Sequence, residues 1–238
     1  MNITDLLLID IETVPEHSTY TALDANWQSL WQRKSSKYTF PPHYTMDDTY
    51  NERAGILAEF GKIICISTAF FYTDSAKQTK LKQKTLQGHN EKLLLCDFLL
   101  LCDSFVKVKK NISFAGHNIK EFDIPYICRR LIINGIALPK YFNLHNQKPW
   151  ENTNIDTLHY WRFGDYKNYI SLNLLATTLQ IQSSKTDIDG SMVREVYYQQ
   201  DGLNRIATYC AKDVQVVAQI LLRFNNKPLL NEEDFITG

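Results

Sequence analysis

The 238-residue chain has no excess of charge: 26 Lys and Arg stand against 26 Asp and Glu. That balance excludes a uniformly basic nucleic-acid coat but leaves room for a local basic groove. Cysteine is scarce, at five residues (Cys65, Cys96, Cys102, Cys128 and Cys210). The number is odd, no C-x-x-C pair occurs and most sit in apolar runs, so they read as buried free thiols of a reducing compartment. The six histidines lack metal-ligand spacing, which excludes a zinc site of the usual kind. No Gly-rich phosphate cradle occurs, which argues against a nucleoside-triphosphate enzyme. The longest apolar runs, around Leu93–Leu101 and Ile63–Tyr72, are too short to cross a bilayer and are interrupted or flanked by charge. The N-terminus is polar at Asn2, Thr4 and Asp5, with no basic region before its short apolar run, so no signal peptide is expected. Repeats, low-complexity tracts and linker-like stretches are also lacking. These absences predict a soluble, cytoplasmic chain without membrane contact.

Hydrophobic residues make up 44% and charged residues 22%, which is ordinary globular usage. A chain of this length can bury a core without disulfide or metal staples. Leu6–Glu12 is a strand-sized apolar run ending in acids, bounded by Pro15. A polar stretch follows, with helical segments over Ala22–Arg33 and Asp47–Phe60 on either side of a turn at Pro41-Pro42. Lys62–Tyr72 is rich in β-branched and aromatic residues and predicts a buried strand, and Lys82–Gln87 a weaker, edge-like one. Asn90 caps a helix through Phe105, Ile112–Gly116 is a short strand, and Asp123-Ile124-Pro125 opens a helix that stops at Asn134-Gly135. Further helices are expected over Trp150–Gly164, Ser171–Leu179 and Leu203–Phe224, with a polar loop over Ser183–Ser191. This order predicts an α/β fold: a mixed central sheet flanked by helices, with a helical C-terminal half. One domain over residues 1–238 is expected, with an insertion at about 16–58 between the first two strands.

Four acids stand out. Asp10 and Glu12 are two apart on a strand and share a face. Such a face is normally apolar, so the strand either ends at Ile9 with solvated acids or carries carboxylates that need a cation between them. Asp213 borders an apolar helical stripe of Val214, Val217, Ala218 and Leu221, and Tyr209 lies one turn earlier on the same side. Asp123 follows Asn118-Ile119-Lys120-Glu121-Phe122 at a helix start, where Asp is also a preferred cap.

In order these read D-x-E on the first strand, N-x-x-x-F-D, then Y-x-x-x-D on a late helix. The set resembles the three motifs of the DEDD superfamily of 3′–5′ exonucleases, which have a ribonuclease H-like fold. It is most similar to stand-alone relatives of the proofreading exonuclease domain of family B DNA polymerases. Asp10-Ile11-Glu12-Thr13-Val14-Pro15, Glu59-Phe60-Gly61-Lys62-Ile63, Phe122-Asp123-Ile124-Pro125, Lys148-Pro149-Trp150, Asp189-Gly190-Ser191-Met192-Val193 and Tyr209-Cys210-Ala211-Lys212-Asp213-Val214 carry the resemblance across nearly the whole chain. Thr208 stands where one branch has His, and Tyr209 matches the tyrosine branch.

The resemblance implies two Mg²⁺ or Mn²⁺ ions, hard cations suited to oxygen ligands. It implies that Asp10 bridges them, that Glu12 and Asp213 complete the site nearer the nucleophile, that Asp123 holds the second ion largely through water, and that Tyr209 orients the attacking water. It also implies that Thr13 offers its backbone N–H to the terminal nucleotide; a strand-end threonine is the plain alternative. Phe122 would stack on a base or serve as a core aromatic, and Asn118 would contact the sugar-phosphate or fix a turn. Lys185 would reach a phosphate or stand as an exposed lysine. Asp156 reads as a helix N-cap. Basic groups at Lys77/Lys80/Lys82/Lys84, Lys107/Lys109/Lys110 and Arg129/Arg130 either flank a groove or form solvated faces. The implied activity is 3′–5′ exonucleolytic hydrolysis of single-stranded or frayed DNA, releasing nucleoside 5′-monophosphates. RNA processing by the same fold, or a non-cleaving module that holds nucleic-acid ends, are the alternatives. With 25 residues after Asp213, no polymerase domain is expected to follow, and proofreading would require a polymerase or repair partner in trans.

Overall fold

A computed structural model describes residues 2–109, 112–145, 147–148, 150–182 and 188–238. Among these residues six strands form one mixed sheet: β1 (Leu6–Pro15), β2 (Gly61–Thr73), β3 (Thr79–Gln87), β4 (Ser113–Gly116), β5 (Ile155–Asp156) and β6 (Phe235–Thr237), in the order β5-β4-β1-β2-β3-β6. The long strands β1, β2 and β3 pair antiparallel, whereas β4, β5 and β6 join in parallel. The helices are α1 (Ala25–Ser35), α2 (Met46–Arg53), α3 (Glu91–Lys109), α4 (Asp123–Ile133), α5 (Thr157–Arg162), α6 (Leu172–Thr178), α7 (Val193–Gln199) and α8 (Leu203–Phe224).

Strand alternation on β1 divides the core. Leu7, Ile9 and Ile11 face α3 and α4 and pack with Leu95, Phe98, Ile124 and Ile127. Leu6 and Leu8 face α8 and pack with Val214, Val217, Ala218 and Leu221, while Val14 on the same side joins Cys65 and Cys210. Asp10 and Glu12 therefore interrupt the α8 face of an otherwise apolar strand. The segment between β1 and β2 carries α1 and α2 over its own apolar cluster of Tyr20, Leu23, Trp31, Tyr50 and Phe60. None of the helices among the described residues is long and apolar enough to cross a membrane.

Several expectations are corrected. The helix over Trp150–Gly164 is shorter: Ile155–Asp156 instead joins β4 as a strand, and the helix runs only over Thr157–Arg162. The backbone of Ile155 and Asp156 bonds to Ala115 and Gly116, partners that no local pattern names. β3 is not an edge strand, because β6 pairs outside it. The second helix of the β1–β2 segment stops at Arg53, and Gly55 then packs against Val14 and Pro15 while its carbonyl accepts a hydrogen bond from Tyr126. α7 lies where the sequence pattern predicts no helix. Of the basic clusters, Arg130 is buried and paired with Glu91 and Glu16, so it presents no charge to a groove, and Lys80 is half-buried and pairs with Asp234. Lys110 lies outside the described residues.

Candidate active site

Asp10 sits opposite Ser67, and Glu12 opposite Cys65, in the β1–β2 ladder. The register skips one residue of β2 between Glu12 and Thr13, a bulge that ends regular pairing just past the acids. From the other layer α8 presents Cys210, Asp213, Val214 and Val217 at i, i+3, i+4 and i+7, and Asp213 is only 7% exposed. One ligand atom each from Asp10, Glu12 and Cys210 lies within 4.8 Å of the others. The Cys210 thiol donates a 3.4 Å hydrogen bond to the Asp10 carbonyl.

Asp123 enters from the opposite side of β1. It is the first residue of α4, 3% exposed, and its Oδ1 accepts the Ile11 N–H at 3.1 Å. That N–H is available because β4 pairs with β1 only over Leu6–Leu8. Gly116 ends β4, and a side chain there would collide with Ile119 and stand 2.7 Å from the Ile9 carbonyl oxygen. Only glycine lets the chain turn so close to β1 and place Asp123 beside Ile11.

The electrostatics are one-sided. Burial pushes the Asp10 carboxyl well above its ordinary range, and the charges of Asp213, Glu12 and Asp123 raise it further. Burial and then Asp213 do the same to Glu12. Asp123 is pushed up to about 7, chiefly by burial, against its hydrogen bonds from backbone N–H groups. Asp10 Oδ2 is buried without a hydrogen-bond partner among the described residues. Oxygen donors that are crowded, desolvated and mutually repulsive, with one of them orphaned, fit a divalent cation better than they fit one another.

The Asp123 carboxyl titrates near 4 in the unfolded chain and near 7 in the folded one. Over that window the native state binds more protons than the unfolded state, so the stabilisation, complete below about pH 4, is lost as pH rises through about 7. In metal-free buffer the wild type should lose a few kcal/mol relative to Asp123→Asn between about pH 4 and 8. The amide oxygen of the variant can still accept from Ile11. Urea midpoints of the two proteins against pH provide the measurement, and parallel curves would refute the effect.

Tyr209 stands one turn before Asp213 on α8. Burial, then the charges of Asp213, Glu12 and Asp10, raise its phenol far above the ordinary value, so it stays protonated and can donate. Thr13 lies half-buried just past the bulge, its hydroxyl near Tyr126. Asn118 has a left-handed backbone (φ 63°), and its Oδ1 is buried with no partner among the described residues. Phe122 precedes α4 and packs against Tyr126 with ring centroids 5.4 Å apart, so it is at least partly a core aromatic. Lys185 lies outside the described residues.

Sequence reasoning missed two contributors. Cys210 reads as another buried thiol, but its spacing of three from Asp213 already puts it on the same helical face. Asp156 does cap α5, accepting from Leu158 and His159 N–H. It also accepts from Asn118 and Lys120 N–H at 3.0 and 2.9 Å, anchoring the segment that leads to Asp123. No local signal marks that second role.

Residues 56–235 match the model of a family described as a predicted 3′–5′ exonuclease related to the exonuclease domain of PolB. Asp123, Tyr209 and Asp213 fall inside the match, and Asp10 and Glu12 precede it. Among solved structures the chain is similar to the family B DNA polymerase from the hyperthermophilic archaeon Pyrobaculum calidifontis, with a TM-score of 0.53 and 14% identity. The likeness covers 92% of this chain but 24% of the polymerase chain, so this chain spans about a quarter of that protein. At that identity it speaks for the fold, and the α/β, ribonuclease H-like expectation is met. No curated protein matches the chain.

Proposed function

The chain belongs to the family described as predicted 3′–5′ exonucleases related to the exonuclease domain of PolB, and on that footing we propose that it removes nucleoside 5′-monophosphates from the 3′ end of single-stranded or frayed DNA. The observation that carries this reading is the meeting of Asp10, Glu12 and Asp213 between β1 and α8, with Asp10 Oδ2 buried and unpartnered among the described residues. Asp10, Glu12 and Asp213 would hold one Mg²⁺ or Mn²⁺ ion, and Asp10 with Asp123 a second. Bound divalent ions lower the pKa of water and offset charge on the phosphoryl and leaving oxygens. The protein does the positioning. Tyr209, kept protonated by its surroundings, donates to the attacking water and aims it. Asn118 Oδ1 and the Thr13 N–H would contact the terminal sugar and phosphate, and Phe122 would stack on its base.

The test is incubation with 5′-labelled DNA and RNA oligomers in Mg²⁺, Mn²⁺ or EDTA. A ladder shortening from the 3′ end, dependent on metal and strongest on DNA, is expected, and a closed single-stranded circle should stay intact. No metal-dependent ladder on either polymer would leave a non-cleaving end-binding module as the better account. Efficient cutting of the circle would indicate an endonuclease.

Tyr209→Phe tests the positioning role. It keeps the ring and removes one hydrogen bond, so single-turnover cleavage at saturating Mg²⁺ should fall by about tenfold to a thousandfold. Metal affinity should change little, since the carboxylates remain. Cleavage at the wild-type rate would reduce the tyrosine to a packing residue.

A further inference from the structure

Between α5 and α6 the chain exposes an unusual row of rings. Phe163 and Tyr166 are each 83% exposed and Tyr169 65%. Neither stability nor backbone comfort explains them. Phe163 adopts a left-handed conformation (φ 47°), which is costly for a bulky residue, and its ring gains little burial in return. Gly164 follows at φ 90°. A stable turn here would favour Asn or Gly at position 163.

The loop is braced. Arg162 Nε donates to the Asn168 carbonyl at 2.8 Å, Asp165 N–H to the Arg162 carbonyl at 2.8 Å, and Asn168 N–H to the Asp165 carbonyl at 3.1 Å. Tyr160 meets Phe163 edge-on at 5.9 Å and stacks on Phe224 at 4.5 Å, so the Phe163 ring rests on a fixed base.

Both ends of the loop are also tied to the segment that delivers Asp123. Glu121, two residues before it, accepts from Arg162 Nη1 at 3.0 Å and lies 2.8 Å from His159 Nε2. Ile170 O lies 2.9 Å from His117 Nε2, which must be the donor because a carbonyl only accepts.

Resting on the exonuclease reading above, we propose that Phe163, Tyr166 and Tyr169 form a stacking platform for unpaired bases upstream of the 3′-terminal nucleotide. The chemistry of the rings selects that occupant. Residues 163–169 contain no aliphatic side chain that would match a leucine-rich peptide, and their two charges, Asp165 and Lys167, cancel, so the rings and not a charge set the chemistry of the surface. Flat π faces accept any base, and base–aromatic stacking is tolerant of sequence. The platform makes the preferred substrate a strand with several unpaired nucleotides.

The test is fluorescence anisotropy with 5′-fluorescein-labelled dT12 and dT3 in low-salt buffer containing EDTA, where no cleavage intervenes. The wild type should bind dT12 at least about tenfold more tightly than dT3, and Phe163→Asn/Tyr166→Ser should lose that advantage. The double variant should fold, because both rings are exposed and Asn tolerates the left-handed backbone better than Phe. Tyr166→Phe keeps the ring and should retain the advantage. Equal binding of dT12 by the wild type and the double variant, or no length advantage in the wild type, overturns the platform and leaves the cleavage ladder to decide the exonuclease reading. Loss of binding in Tyr166→Phe as complete as in the double variant would replace stacking by a hydroxyl contact. If the double variant only abolished self-association, with dT12 binding unchanged, the patch would serve a second copy of the chain and the proposal would fail.

Discussion

Asp10→Asn is expected to slow cleavage by about a thousandfold or more at saturating Mg²⁺ and, once the metal is chelated, to melt at a higher temperature than the wild type. Both effects come from one carboxylate. Asp10 lies in the α8 face of β1 between Leu8 and Val14, and its charge is opposed by burial, Asp213, Glu12 and Asp123. Without a cation, the ionised form is destabilising. Asparagine keeps the shape, removes a negative charge and brings an N–H₂ that the neighbouring carboxylates can accept. With a cation, the same replacement removes a ligand, and several kcal/mol of transition-state charge stabilisation go with it. At about 1.4 kcal/mol per factor of ten, that amounts to at least three orders of magnitude. Single-turnover rates in Mg²⁺ and melting curves in EDTA separate the two effects. Near-wild-type turnover would remove Asp10 from the metal-binding set, and a lower metal-free melting temperature would show that its charge is compensated in a way the cluster does not reveal.

Arg130→Met should destabilise the fold by about 3–5 kcal/mol, the usual cost of orphaning one member of a buried ion pair. Arg130 Nε donates to both oxygens of Glu91, at 2.8 and 3.0 Å, its Nη1 to the Ala58 carbonyl and its Nη2 to Glu16. Glu91, at the start of α3, also accepts from Ile63 N–H at 2.7 Å and Asn134 Nδ2. The network thus ties α4 and α3 to the start of β2 and to the residue after β1. Removal of the guanidinium leaves Glu91 buried with a charge and too few donors. Adding Glu91→Gln neutralises that charge while its amide oxygen still accepts from Ile63, so the double variant should recover at least half of the loss. Urea midpoints of the three proteins test this. A single-variant cost under about 1 kcal/mol, as for an exposed pair, would mean that water reaches the network.

The site was legible where it rests on short periods. The two-residue period of a strand is enough to put Asp10 and Glu12 on one face, and the helical period puts Tyr209 one turn from Asp213 on α8. The start of α3 followed from Asn90, and the bounds of α4 from Pro125 and Gly135, all of which act within a turn of where they sit. The resemblance then ordered the acids into one set, as no single motif could. The second role of Asp156, by contrast, depends on backbone N–H groups of Asn118 and Lys120 far away in sequence, and a cap looks the same with or without them.

Local pattern by itself determined the mixed α/β character, the long central strands, the principal helices and the acids worth watching, because each rests on side-chain period and terminal chemistry within a few residues. Tertiary structure alone decided the rest. It turned Arg129/Arg130 from a basic patch into one exposed and one buried cation, converted part of an expected helix into β5, covered β3 with β6, and exposed the rings of 163–169. Those outcomes are set by hydrogen bonds and charge partners brought together across the sheet. A strand edge, a buried carboxylate or an empty aromatic face is defined by what stands opposite it, and the chain supplies that only once it has folded.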